Sequence, residues 1–368
     1  MRIGFMLYGD LSIRTGGFLY DRELVNGLRS IGASVEVLEL PWRSYAAGLL
    51  QPQYRPAFEW CDNGNFDVLI QDELAHPSLV RLNRVLHERH ALPVITLVHH
   101  MRSSESHPAV LRWIYREVER AYFACVDGAI VNSEATCDAV RTLLARATPM
   151  HIAMPGRGHL LPRLGEDEIR ERSSREGPLQ VLYLGSVIPR KGLIDLVFAL
   201  GAVDIPEIHL TVIGREDASP RYVRQVKDAI TRQGMDARTR WLGEVGDDAL
   251  SDVLANAHIL VVPSSHEGFG IAYLDAMAYG VVPVGTTEGG AGSIITPGEN
   301  GFLLSPSDGV ALAACLYLLA QNRELLGQIG VQAYRDYQSH PTWMQITEGV
   351  YEFLNTEFLG DRARHQAA

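Results

Sequence analysis

The chain has 368 residues, 46% of them hydrophobic and 21% charged, with a formal net charge of -11. That length exceeds what one hydrophobic core usually organises, so two domains are expected, and the ordinary composition without a low-complexity tract excludes a disordered chain. The acidic balance excludes a broad nucleic-acid surface, which needs many clustered cations, so any anion site must be local.

Residues 3–7 read as a buried first strand, because Gly9-Asp10 ends the apolar run far short of a membrane span or a signal-peptide core. No later stretch reaches about 18 uninterrupted apolar residues, so no transmembrane span is expected, while peripheral membrane contact stays open. Short Val/Ile/Leu runs follow at 35–38, 68–70, 94–98 and 129–131, separated by helical stretches at 18–31, 77–88, 109–123 and 134–144. That rhythm is the signature of buried parallel strands alternating with helices. Residues 163–178, dense in charge and closed by Gly177-Pro178, read as an exposed connector or a surface helix at the domain boundary. The rhythm restarts with strands at 181–184, 210–213, 259–262 and 281–284. The tail from 341 reads as helical and is expected to pack back across the boundary. The expected organisation is therefore α/β throughout: a Rossmann-like domain over 1–162 joined by the helical tail 341–368, a linker over 163–178, and a second Rossmann-like domain over 179–340. Cys61, Cys125, Cys137 and Cys315 form no CxxC pair and lie mostly in apolar segments, as buried thiols of a reducing compartment do. Structural zinc is not expected.

The stretch 261–280 carries the most chemistry. A strand leads into a loop with Glu267, Gly268, Phe269 and Gly270, and a helix opens at Ile271, so free backbone N–H groups and the positive helix end point out at the strand edge. A phosphate fits such a place. Asp275 lies eight residues beyond Glu267, about one and a half turns into the helix, and two carboxylates at that spacing suit separate hydroxyls of one polyol. Earlier, Gly185-Ser186 follows a strand and leads to Arg190-Lys191-Gly192 at the start of another helix. A guanidinium fork beside an ammonium is a common partner for diphosphate oxygens. Lys191 and Lys227 are the only lysines, so a lysine in a motif stands out.

These segments resemble the family 4 retaining glycosyltransferases of the GT-B fold, two Rossmann-like parallel-sheet domains facing across a cleft. The likeness rests on an E-x7-E-type pair (Glu267 and Asp275), the G-x5-K-G turn ending in Lys191-Gly192, Gly16-Gly17 after the first strand, Gly243-Glu244-Val245, and Gly289-Gly290. It implies a first domain that takes the acceptor and a second that takes a nucleotide-sugar donor. Glu267 would hold the sugar hydroxyls, the amides of Phe269 and Gly270 the diphosphate, and Asp275 the ribose, with Gly268 also in the donor site. Lys191 and Arg190 would neutralise the leaving diphosphate beside Ser186, Val245 would meet the base through its backbone, and Gly16-Gly17 would admit the donor or acceptor closely. His99, at the end of the strand 94–98, matches the family's active-site histidine. Three positions depart from the pattern: Asp275 where glutamate is usual, Ser186 where arginine is often found, and Ser293 in place of an acid.

The implied activity is hexosyl transfer in carbohydrate biosynthesis, from a nucleotide sugar to an acceptor that the sequence leaves unknown, without a cofactor and in the cytoplasm. No D-x-D occurs, so no bound metal is required by this reading. Bland readings stand beside it. Glu267 alone serves as a helix-terminal acid, His99 as a hydrogen-bonded core histidine, and Ser103-Ser104 as helix caps rather than acceptor contacts. Other GT-B activities, such as a nucleotide-sugar epimerase or a phosphorylase, share the fold, as would a non-catalytic nucleotide-sugar binder. A dinucleotide oxidoreductase ranks low because G-x-G-x-x-G is missing after the first strand.

Overall fold

A computed structural model describes residues 1–50, 54–89, 92–144, 146–162, 164–202 and 208–360. The chain divides into two compact units, one of Met1–Gly156 with the stretch from Thr342 onward, the other of Arg157–Pro341.

In the first unit the chain runs β1 (Arg2–Tyr8), α1 (Gly16–Ser30), β2 (Ser34–Leu40), α2 (Tyr45–Leu50), α3 (Tyr54–Gly64), β3 (Val68–Asp72), α4 (His76–Arg89), β4 (Val94–Val98), α5 (Ala109–Phe123), β5 (Gly128–Val131), α6 (Glu134–Arg141) and β6 (Met150–Ile152). The six strands form one parallel sheet in the order β2-β1-β3-β4-β5-β6. β3, β4 and β5 are buried along their whole length, which is why they read as unbroken apolar runs. In the second unit follow α7 (Glu166–Ser174), β7 (Leu179–Leu184), α8 (Leu193–Ala202), β8 (Ile208–Ile213), α9 (Pro220–Arg232), β9 (Thr239–Gly243), α10 (Asp247–Asn256), β10 (Ile259–Val261), α11 (Ile271–Ala278), β11 (Val282–Thr286), β12 (Phe302–Leu304), α12 (Gly309–Gln321) and α13 (Arg323–Ser339). Its parallel sheet has the order β12-β11-β10-β7-β8-β9. The last helix, α14 (Trp343–Leu354), lies on α1 of the first unit, where a Cβ at Gly27 would come 2.2 Å from the Thr347 hydroxyl. Trp343 meets Tyr20 edge-on at 5.2 Å.

One expectation changes. The stretch 163–178 is not a bare linker: Arg163 lies outside the described residues, but α7 belongs to the second unit and packs on α13. Ile169 is fully buried against Gly280, and the Arg172 guanidinium donates to the carbonyls of Leu254, Ala255 and Gly280. A charge-dense stretch reads as solvated, yet here one arginine closes the open carbonyls at a helix end. Of the tail expected over 341–368, residues 361–368 lie outside the described residues.

Candidate active site

The glycine-bracketed turn of the second unit starts where β7 ends. Gly185 (φ 150°) and Gly192 (φ 69°) bracket a 3-10 turn over Pro189–Lys191, and both lie in the left-handed range that favours glycine. Gly192 is held hard against the neighbouring strand end, since a Cβ there would fall 2.2 Å from the Pro263 carbonyl oxygen. That approach brings Lys191 onto the loop before α11. Its Nζ donates to both carboxylate oxygens of Glu267, the longer bond at 2.7 Å. Arg190 donates to the His266 carbonyl at 2.6 Å and stands 3.9 Å from Glu267. The Ser264 hydroxyl adds a third bond to the carboxylate, at 2.8 Å.

Burial by itself raises the Glu267 carboxyl, but Lys191, Arg190 and the hydrogen bonds from Lys191 and Ser264 outweigh it and hold it at about 2. Burial also lowers the Lys191 ammonium, against the pull of Glu267. Glu267 is only 9% exposed and caps no helix; Gly270, in the left-handed region, takes the N-terminal position of α11. The helix-terminal reading of Glu267 is thereby replaced by a buried, cation-bound carboxylate. Gly289-Gly290 pack against its backbone: Cβ atoms there would come 1.9 Å from the Glu267 oxygen and 2.1 Å from the Gly268 oxygen.

Asp275 sits on the fifth residue of α11, about one turn in rather than one and a half, and is 8% exposed. Burial, with Asp247 at the start of α10 adding to it, pushes its carboxyl up to about 7. Val245 is half-buried in the loop that leads from Gly243 (φ 64°) to α10. Phe269 is buried, in keeping with a packing residue, and the Ser186 carbonyl accepts from the Tyr183 hydroxyl.

In the first unit His99 follows β4 and is held from four sides. Its Nε2 pairs with Asp21 Oδ1 at 2.7 Å, and its backbone N–H donates to Glu73. Its carbonyl accepts from Asn132, and Tyr20 meets the ring edge-on at 5.1 Å. Burial opposes charge on the ring, yet Asp21, Asp72 and Glu73 together raise it to about 10. Burial pushes Glu73 up to about 7 and Asp72 well above the usual carboxylate range, the latter helped by Asp21 and Glu73. Among the described residues, Asp21, Asp72 and His99 are the one group arranged to hold a cation, with ligand atoms within 4.8 Å of one another. The Asp21–His99 hydrogen bond already engages one oxygen of Asp21 and Nε2 of the ring.

Gly16-Gly17 form no loop of their own. They are the first turn of α1 with no positive φ, and what Gly17 provides is room: a Cβ would touch the His99 ring at 3.4 Å. Arg102–Ser104 form a short 3-10 turn without a side-chain cap, the Ser103 amide donating instead to Glu119. The sequence reading missed Ser264, Asp21, Asp72 and Glu73. Asp21 had a signal, an acid among the apolar positions 18, 24, 25 and 28 of one helix, all of which prove buried.

The fold as a whole is GT-B. The structure of sucrose-phosphate synthase from Thermosynechococcus elongatus aligns over 98% of this chain and 99% of that one, with a TM-score of 0.84 at 19% identity. Anabaena HepE, solved in complex with UDP-glucose, aligns over 97% and 100% with a TM-score of 0.80, also at 19% identity. Residues 165–336, just under half of the chain, match the family described as glycosyl transferases group 1. Among curated relatives, mannosylfructose-phosphate synthase of Agrobacterium fabrum is 28% identical over 49% of this chain, which spans 41% of that enzyme's length. Phosphatidyl-myo-inositol mannosyltransferase of Mycobacterium leprae is 26% identical over 97% of this chain and 98% of its own.

Proposed function

We propose that the chain moves a hexose from a nucleoside-diphosphate sugar to an acceptor hydroxyl, with retention of configuration and without a divalent metal. The observation that carries this reading is the Lys191–Glu267–Arg190 cluster at the turn before α11. It has two cations to one acid, so it carries a surplus positive charge where an anionic leaving group needs it most. In this reading an arriving diphosphate takes Lys191 and Arg190 as partners, which releases the Glu267 carboxylate to accept from sugar hydroxyls. Asp275 accepts from the ribose hydroxyls, Val245 meets the base through its backbone, and Gly268 to Gly270 present their amides to the phosphates. The second unit is then the donor domain. The first, with His99 at its strand end, is the acceptor domain.

The leaving diphosphate takes the acceptor proton while the acceptor attacks from the same face, so no protein base is required for a retained configuration. The likeness to HepE, which was solved with UDP-glucose, favours a uridine donor as the first to try. Four free, buried cysteines are in keeping with work in the cytoplasm. Among the described residues no helix is long and apolar enough to cross a membrane.

The test is a panel of UDP-, GDP- and ADP-sugars incubated with the protein, with and without EDTA, reading nucleoside diphosphate release and the anomer formed. One donor is expected to be cleaved at a rate that EDTA leaves unchanged, giving the donor's own anomer. A strict need for added metal sinks the metal-free reading. An inert panel would leave a binding protein.

A further inference from the structure

We propose that the first half of α5 is a docking surface for an anionic phospholipid bilayer. Single exposed apolar side chains are ordinary, but four large ones here fall within five residues: Val110 (70% exposed), Leu111, Trp113 (63% exposed) and Ile114. They cannot be explained by fraying, because the same helix is fixed further along. Tyr122 and Phe123 are buried, and Glu119 accepts from the Ser103 amide. Tyr115 packs on Tyr45 at 4.7 Å, with the Arg102 guanidinium 5.0 Å above its ring. A rigid helix thus presents a greasy first two turns to solvent. Beside it, across the Tyr45–Tyr115 contact, α2 exposes Leu49 and Leu50.

Charge selects the occupant. The chain carries a net -11, yet residues 109–116 contain no acid and two arginines, Arg112 and Arg116, both exposed. Among the described residues neither is in an ion pair; the next arginine along, Arg120, is taken by Glu117 at 2.6 Å. An apolar patch flanked by free arginines matches the two layers of a membrane interface. Trp113 and the aliphatic side chains enter the headgroup–acyl boundary while the guanidiniums stay among lipid phosphates. Each arginine near an anionic bilayer strengthens attachment by about fivefold. A second copy of the chain fits less well, because a two-fold contact through this patch would set arginines against arginines.

The experiment is flotation of the full chain with vesicles of phosphatidylcholine alone or of phosphatidylcholine with phosphatidylglycerol, at low and high salt. The wild type is expected to float with the anionic vesicles, and less so as salt rises. The double substitution Val110→Glu and Trp113→Glu should weaken attachment at least about tenfold. Arg112→Glu with Arg116→Glu should abolish the preference for phosphatidylglycerol, while Phe198→Glu, at an exposed apolar position of α8, should change nothing. Thermal melts check folding, and Trp113→Ser alone replaces any variant that melts early. The idea is overturned if the wild type ignores both vesicles or if the glutamate pair floats as well as the wild type. It is equally overturned if light scattering shows that the pair dissolves a dimer instead.

Discussion

The two units each bury a cluster of carboxylate and cation, and the clusters are built with opposite surpluses. In the second unit one acid, Glu267, faces Lys191 and Arg190; in the first, three acids, Asp21, Asp72 and Glu73, crowd one histidine. A buried charge persists only where partners offset its desolvation, so the sign of the surplus tells what a missing partner would have to bring. The cluster of the second unit carries a positive surplus, which an anion would offset. That of the first unit is quiet only if it keeps protons, which is what raised carboxyls at Asp72 and Glu73 and a cationic His99 provide.

Breaking the cation side should have the largest effect. Lys191→Ala and Glu267→Ala are each expected to reduce transfer at least about a hundredfold, as loss of groups aimed at a developing charge commonly does. Lys191→Ala should also lower stability by about 3 kcal/mol, since it leaves the buried Glu267 carboxylate with the Ser264 hydroxyl and a guanidinium 3.9 Å away. The double variant should be less unstable than the sum of the singles, read by urea unfolding. Wild-type turnover in either single variant would detach this cluster from the chemistry.

The loop that supports the cluster should come next. Gly289→Ala places a methyl group 1.9 Å from the Glu267 carbonyl in a backbone region essentially reserved for glycine, and should cost about 3 kcal/mol together with most activity. Gly298→Ala is the control: φ is 81° but nothing lies within 4 Å, so about 1 kcal/mol is expected and activity should survive. Equal losses at the two positions would mean that backbone strain, and not contact with the Glu267 loop, governs both.

On the acid-rich side, Asp21→Asn removes the negative charge that faces the His99 ring and should cost about 2 kcal/mol near pH 7. The His99 ring is raised to about 10 from an unfolded value of about 6.5. Its contribution is therefore fully present below about 6.5 and lost as pH rises through about 10. The gap between wild type and variant should accordingly narrow in alkaline urea titrations. A gap that stays constant there would mean that His99 is neutral in the folded chain.

What the sequence disclosed follows the same division. The cation cluster is written in two short contiguous stretches, and its central residues were all legible, apart from Ser264. The acid cluster is drawn from α1, the end of β3 and the end of β4, with Asp21 and His99 78 positions apart, so only His99 was found, and by resemblance. Strands behaved likewise. β6, β9 and β12 were missed, and all three are sheet edges with half-buried faces, where no unbroken apolar run is needed. The packing of α7 into the second unit was not legible because its buried face is only Ile169, Arg172 and Ser173, and an arginine that binds carbonyls looks like one that binds water.

The smallest expected effect separates Asp275 from Glu267, two acids on one loop and helix with opposite titration. Glu267 is ionised at every ordinary pH, whereas burial lifts Asp275 to about 7. If Asp275 accepts from two ribose hydroxyls, the ionised form is the better acceptor, so affinity for a nucleoside diphosphate should rise between pH 6 and pH 8 by up to about tenfold. The diphosphate titrates in the same window, which makes the wild-type curve ambiguous alone. Asp275→Asn faces the same diphosphate with no proton to lose, and its calorimetric affinity should rise less steeply than that of the wild type. Parallel curves would mean that the ribose lies elsewhere, and that burial of Asp275 beside Asp247 serves packing on α11 and not the donor.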